Sequence, residues 1–172
     1  MTRSRASRSG LPVNLALRWF AAVVGLAIAL TGAATAGSLT PEQAAEHPGA
    51  RVYKSKNCMA CHKWHGLGGT GYGSTPVNLR ETPLDLDQLV EVVACGRPGT
   101  GMPFHRKTAY EGYDCYGLSK EELGDALPGR ANAFLSNREI NAVAGFIEGF
   151  FKGRTTVADA DCEIFFGVGS KT

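Results

Sequence analysis

The chain has 172 residues, of which 44% are hydrophobic and 20% are charged, a composition that excludes a wholly disordered chain and a protein with many membrane spans. Its 18 basic and 16 acidic residues give a net charge of only +2, which argues against nucleic acid as the main partner. The length predicts one domain, and the 22 glycines predict that loops occupy much of it.

The first 36 residues have the three-part pattern of an export signal. Arginines and no acid stand at the start, residues 20–30 form an apolar run, and Ala34-Thr-Ala36 is typical of a cleavage site before Gly37. A retained membrane anchor is the alternative, but the run is shorter than the roughly 20 residues that a spanning helix needs. The predicted organisation is an export signal (1–36), a linker (37–48), a folded domain (49–152) and a C-terminal tail (153–172).

The next feature along the chain is Cys58-Met-Ala-Cys61-His62, the C-x-x-C-H pattern of covalent c-type haem attachment. Its spacing places two thiols within one helical turn, where they can add to the two vinyl groups of a haem, and the following histidine can ligate the iron. A structural zinc site would need a second pair of ligands, and a thioredoxin-like redox pair would need a βαβ context. The motif therefore predicts one covalent haem c with His62 as an axial ligand.

Residues 46–152 around this motif resemble a class I cytochrome c. Gly49 and Tyr53 are similar to that family's glycine and aromatic pair on the N-terminal helix, where the glycine allows the C-terminal helix to cross closely. The resemblance implies an all-α, loop-rich cytochrome c fold with three to five helices around one covalently bound haem.

The loop after the motif also resembles that family. Thr75-Pro76-Val-Asn-Leu looks like its Pro-x-Leu loop, which implies that the Pro76 carbonyl accepts a hydrogen bond from His62 Nδ1 and so orients the ring. An ordinary turn residue is the alternative for Pro76. Arg80, which follows this loop, is a candidate partner for a haem propionate, the alternative being a surface arginine.

Helix signals flank these loops. The sequence predicts a first helix over residues 49–61, a glycine-rich loop over 66–73, a helix that begins at Asp85 and ends at Cys95, and a last helix that begins at Ser136. Three segments have the spacing of a capping box, in which the residue before the helix and the third helical residue bond each other's backbone. These boxes pair Asp85 with Gln88, Ser119 with Glu122, and Ser136 with Glu139.

The second axial ligand is expected in the sequence Gly-Thr-Gly-Met102-Pro-Phe, which resembles the family's Gly-Met-Pro distal loop. Met1 would leave with the signal, and Met59 lies between the two haem cysteines, where it cannot reach the far face of the ring. His105 is the alternative ligand and would give a bis-histidine haem. Arg97, just before this loop, is a second candidate for a propionate or an ordinary surface arginine.

Three further cysteines, Cys95, Cys115 and Cys162, are not needed for haem attachment. Thiols of exported proteins tend to be oxidised, and three cysteines allow at most one bridge among them. A Cys95–Cys115 bridge would enclose the Met102 loop and add roughly 3 kcal/mol to stability, whereas a Cys115–Cys162 bridge would tie down the tail. The sequence leaves both pairings, and the absence of a bridge, open.

Residues 104–128 form an insertion between the methionine and the last helix, and they carry three tyrosines and several acids. A docking surface for a partner protein and a loop packed over the distal face are the two interpretations. The tyrosines are Tyr110, Tyr113 and Tyr116.

An iron with both axial positions filled by the protein has no open site for a substrate, so we predict an electron carrier and no enzyme. The carrier would be exported to the periplasm and cycle between Fe(II) and Fe(III). Its donor would be a dehydrogenase or a quinol-oxidising complex, and its acceptor a cytochrome or an oxidase. The alternatives are a haem subunit anchored in a larger respiratory or dehydrogenase complex, and a haem sensor or enzyme with a labile sixth ligand. We expect no nucleic-acid partner, and a membrane contact only through a retained N-terminal segment.

Overall fold

The computed structural model describes residues 38–69 and 75–171, so the predicted export signal and part of the predicted 66–73 loop lie outside the described residues. Within these ranges the chain forms seven α-helices and, apart from three isolated bridges, no β-structure. The predicted all-α, loop-rich class is confirmed. The helices outnumber the predicted three to five because three of them are single short turns of four to six residues.

The helices are α1 (Pro41–Glu46), α2 (Pro48–Ser55), α3 (Cys58–His62), α4 (Leu86–Cys95), α5 (Lys120–Leu123), α6 (Asn137–Phe146) and α7 (Asp159–Phe166). Two 3₁₀ turns lie at Leu79–Glu81 and Gly124–Ala126, and a π-helical turn at Ile147–Phe151 continues α6. None of these described helices is long and apolar enough to cross a membrane.

The three predicted capping boxes are present at the starts of α4, α5 and α6. In each, the side chain before the helix accepts a hydrogen bond from the third helical N–H, and the third side chain accepts one from the cap's own N–H. These pairs satisfy donors that a helix start leaves unpaired, which is why short polar motifs fix where the three helices begin.

The predicted first helix over residues 49–61 is wrong in one respect, because it is broken in two. Asn57 has φ 67°, in the left-handed region that an α-helix cannot contain, and asparagine is one of the few residues that adopt it readily. The break ends α2 at Ser55 and starts the new helix α3 at Cys58. The C-x-x-C-H motif therefore occupies a short helix of its own.

The core forms where α2 crosses α6. A Cβ atom on Gly49 would lie 2.1 Å from the Ala142 carbonyl oxygen and 2.5 Å from Phe146 Cβ, so only glycine permits this approach. Tyr53, one turn later on α2, is fully buried, and its ring centroid lies 5.9 Å from that of Phe146 and 5.2 Å from that of Phe151. The close helix crossing that the resemblance implies is thus present.

Both ends of the described chain are helical. Helix α1 lies in the segment predicted as a linker, α7 lies in the predicted tail, and the two helices contact each other. Asp161 of α7 is fully buried and accepts hydrogen bonds from Arg80 Nη2 at 3.0 Å and from Arg154 Nη2 at 2.8 Å. This buried network fixes α7 to the loop that follows the C-x-x-C-H helix.

Candidate functional site

A cavity of about 620 Å³ lies among α3, α4 and the loops on either side of α4. Such a volume is within the range of roughly 300–1,000 Å³ that small-molecule and cofactor sites have. Its walls are mostly apolar, with side chains such as Leu79, Leu89, Val93 and Ile147. The cavity therefore suits a large apolar group.

Helix α3 presents Cys58, Cys61 and His62 to this cavity. Neither thiol is in a disulfide, and burial raises the pKa of Cys58 to about 12, so its thiol is protonated at neutral pH. The two sulfurs lie one helical turn apart on the same short helix. The helix therefore offers two free thiols and an imidazole to a single bound group.

His62 is oriented by a backbone carbonyl. Its Nδ1 lies 3.3 Å from the Val77 oxygen, and because a carbonyl only accepts, Nδ1 carries the proton and Nε2 keeps a lone pair for a metal. Burial lowers the pKa of His62, which favours the neutral form that ligates. The predicted acceptor, the Pro76 carbonyl, is wrong by one residue, because that carbonyl packs against Gly68, where a Cβ atom would lie 2.2 Å from its oxygen.

Met102 and Pro103 line the same cavity from the loop after α4. The Arg97 N–H donates to the Met102 carbonyl at 3.1 Å, and the Met102 N–H donates to the Thr100 hydroxyl at 3.2 Å, so the loop closes on itself around the methionine. His105, the alternative ligand, also lines the cavity, with its Nδ1 3.4 Å from the Ala133 oxygen. The structure thus brings both candidate ligands to the cavity that contains His62.

The two arginines that the sequence nominated for propionates have different surroundings. Arg97 lines the cavity and is exposed, as a propionate partner would be. Arg80 does not line it and is buried, and its Nε, Nη1 and Nη2 donate to the His65 oxygen, the Thr156 oxygen and the Asp161 carboxylate. The prediction for Arg80 is therefore wrong, because its guanidinium is occupied by the C-terminal segment.

The residues that line this cavity are suited to bind a covalent haem. Two free thiols, a neutral imidazole with an unprotonated Nε2 and a thioether line one cavity whose walls are mostly apolar. Thiols can hold the porphyrin edge, and imidazole and thioether are established axial ligands of haem iron. The C-x-x-C-H motif predicts the two thiols and the imidazole of this donor set, and the resemblance to the Gly-Met-Pro loop implies the thioether.

Residues 44–114 match the family model described as cytochrome c oxidase, cbb3-type, subunit III. This match supports a c-type cytochrome. The matched segment contains the C-x-x-C-H motif and Met102, and such a domain implies a covalently bound c-type haem and haem-based electron transfer. No curated protein and no solved structure matches the chain significantly.

In this chain, Cys95 at the end of α4 forms a disulfide with Cys115, and Cys162 is a free, buried thiol on α7. Of the alternatives left open by the sequence, the structure thus has the bridge that encloses the Met102 loop. Val77 is the site residue that the sequence analysis missed. Its side chain carries no chemistry, and only its carbonyl contacts His62, so no side-chain signal could have identified it.

Proposed function

We propose that this cytochrome is an exported one-electron carrier with a single haem, attached through Cys58 and Cys61 and ligated by His62 and Met102. The observation that carries the proposal is that all four residues line one cavity. A haem bound there supplies a one-electron couple between Fe(II) and Fe(III). His62 and Met102 would both hold the iron, so the bound haem would exchange electrons with partner proteins and would leave no position open to a substrate.

Residues of the chain would orient the haem ligands, exclude water and set the reduction potential of the Fe(II)/Fe(III) couple. The Val77 carbonyl holds the His62 proton on Nδ1, which fixes the ring and makes Nε2 a better ligand. Apolar walls exclude water, and ligation by methionine and histidine raises the reduction potential of a haem. Arg97 at the cavity is the residue that we propose for a propionate. The result is a carrier of relatively high potential.

The partners are redox proteins in a respiratory context. We propose a periplasmic dehydrogenase or a quinol-oxidising complex as donor, and another cytochrome or a terminal oxidase as acceptor. The family description, subunit III of a cbb3-type oxidase, supports a second candidate function, in which the chain is a haem subunit of a larger respiratory complex. In that case the N-terminal segment, residues 1–36, would be a membrane anchor instead of a cleaved signal.

Replacement of Met102 tests the ligand set. In the Met102→Ala variant, the charge-transfer band of methionine-ligated ferric haem, at the red edge of the visible spectrum, is expected to disappear because the thioether is gone. The ferrous variant is expected to bind carbon monoxide readily, because its sixth position is open. Both changes are measured by optical spectroscopy on the purified holoprotein.

Two variants serve as controls for this experiment. Met59→Leu removes the other described methionine, and His105→Ala removes the alternative ligand. Both are expected to keep the band and to resist carbon monoxide. If His105→Ala lost the native spectrum while Met102→Ala kept it, the haem would be bis-histidine and the proposed ligand set would be wrong.

A further inference from the structure

The carboxyl end of α4 is capped by residues that follow Met102 in the chain. The last carbonyls of a helix lack partners within the helix. Here the Tyr110 hydroxyl donates to the Cys95 carbonyl at 2.9 Å, and the Tyr116 hydroxyl donates to the Gly96 carbonyl at 2.6 Å. Two phenols of the 104–128 insertion therefore hold the point at which the Met102 loop begins.

Gly96 is in direct contact with the backbone of the ligand. Its φ is +71°, and a Cβ atom there would lie 2.8 Å from both the Met102 carbonyl oxygen and the Phe104 nitrogen. The N–H of the next residue, Arg97, donates to that same Met102 oxygen. Because the Gly96 backbone packs directly against the Met102 carbonyl, a displacement of Gly96 also displaces the Met102 backbone.

Tyr116 is itself fixed to α4 from three sides. Its N–H donates to Glu91 Oε1 at 2.9 Å, its hydroxyl bonds Gly96, and the preceding residue, Cys115, is bonded to Cys95. Burial raises the pKa of the Tyr116 phenol, so the hydroxyl is protonated and remains a donor across the neutral range. The phenol is therefore a rigid support for the start of the loop.

We propose that Tyr116, assisted by Tyr110, is a positioning residue that holds Met102 on the haem iron, and that residues 104–128 act as a brace for the axial-ligand loop. This inference rests on the proposed function, because it takes Met102 as the sixth ligand. The brace acts through backbone carbonyls, without touching the iron or the thioether. Its expected effect is to disfavour exchange of Met102 for an external ligand.

The insertion also provides a matched control. The Tyr113 ring stacks on the Arg106 guanidinium, 3.8 Å from it, and within the described residues the Tyr113 hydroxyl makes no hydrogen bond. Tyr113→Phe thus removes a hydroxyl from the same insertion without removing a contact to the Met102 loop. Tyr116→Phe and Tyr110→Phe each remove one such contact and leave the ring in place.

The test is a titration of the ferric holoprotein with imidazole, in which binding is measured by the loss of the methionine–haem band. Because one hydrogen bond to a loop carbonyl is lost, Tyr116→Phe is expected to bind imidazole about five- to tenfold more tightly than the unmodified protein. Tyr110→Phe is expected to change the affinity in the same direction, and Tyr113→Phe is expected to leave it unchanged. Thermal unfolding of each holoprotein reports on general stability separately.

Two results would contradict the proposal that residues 104–128 brace the Met102 loop. One is an unchanged imidazole affinity in both Tyr116→Phe and Tyr110→Phe, and the other is an equal rise in Tyr113→Phe, which would indicate general loosening of the insertion. The proposed function fails on a different observation, namely absence of the methionine–haem band from the unmodified protein. The two failures are therefore distinguishable in the same set of spectra.

Discussion

At the scale of single residues, the sequence predicted the site residues that belong to short local motifs. It did not predict the contacts that depend on the folded backbone or on partners distant in sequence. The candidate haem ligands lie in short local motifs, and the structure brings them to one cavity: Cys58, Cys61, His62 and Met102. The acceptor for His62 is a backbone carbonyl, and whether residue 76 or 77 supplies it depends on the turn of the loop. Arg80 could not be assigned, because its partner Asp161 lies 81 residues away in sequence.

Two glycines near the crossing of α2 and α6 give a matched test of packing. At Gly49 a Cβ atom would meet the Ala142 backbone at 2.1 Å, whereas at Gly145 it would meet nothing within 4 Å. Gly49→Ala is expected to lower the free energy of unfolding by about 1–3 kcal/mol or more through overpacking. Gly145→Ala is expected to raise it by up to about 1 kcal/mol, because alanine favours the helix. Urea unfolding measures both, and similar values for the two variants would contradict the close crossing.

At the scale of elements, the starts of three helices were predicted, whereas the interruptions of helices and the two end helices, α1 and α7, were not. A capping box depends on residues three positions apart, so Asp85, Ser119 and Ser136 were sufficient to predict where α4, α5 and α6 begin. The break at Asn57 and the π-helical turn after α6 have no such local signal. At these two positions, packing around the cavity and the aromatic core determines the backbone conformation.

The capping box of α6 predicts a pH dependence of stability. Hydrogen bonds from the Ser136 backbone and side chain, with a smaller contribution from Lys56, hold the pKa of Glu139 below its usual range. A carboxylate with a lowered folded pKa stabilises the protein above the unfolded value of about 4.3, and this contribution is lost as the pH falls through the folded pKa. In Glu139→Gln the amide keeps an acceptor for the box but does not titrate.

The measurement is urea unfolding between about pH 5 and pH 3, where the Glu139 contribution is lost. The free energy of unfolding of Glu139→Gln is expected to fall less steeply with decreasing pH than that of the unmodified protein. Ser136→Ala, which removes the cap itself, is expected to cost about 1 kcal/mol at neutral pH. An unaltered pH slope in Glu139→Gln would show that this carboxylate is not held by the box.

At the scale of the whole molecule, the C-terminal helix α7 is connected to the loop that follows the C-x-x-C-H helix. Arg80 follows the loop whose Val77 carbonyl faces His62, and its guanidinium bonds both the His65 oxygen and Asp161 of α7. Neither partner was predicted as part of the domain's core, because charged residues are rarely buried unless paired. The sequence analysis therefore assigned no role to α7, although its Asp161 carboxylate is at the centre of a buried network.

Asp161→Asn tests this connection. The substitution leaves the Arg80 charge buried without its counter-charge, so the free energy of unfolding is expected to fall by about 3–5 kcal/mol. Glu163→Gln, on the same helix, changes a carboxylate that accepts the exposed Gly169 N–H, and it is expected to cost less than about 0.5 kcal/mol. Urea unfolding provides both values, and equal small losses would mean that the network contributes little to stability.

The Cys95–Cys115 disulfide has a consequence for biosynthesis. Cys95 and Cys115 are joined in the structure, whereas the proposed haem attachment requires that Cys58 and Cys61 are still reduced when haem arrives. Cys58 and Cys61 are only three residues apart, so an oxidant can join them to each other before haem is attached. Correct maturation therefore depends on whether haem attachment precedes thiol oxidation at Cys58 and Cys61. An expression host that oxidises thiols quickly but attaches haem slowly is expected to produce chains with the wrong cysteines joined.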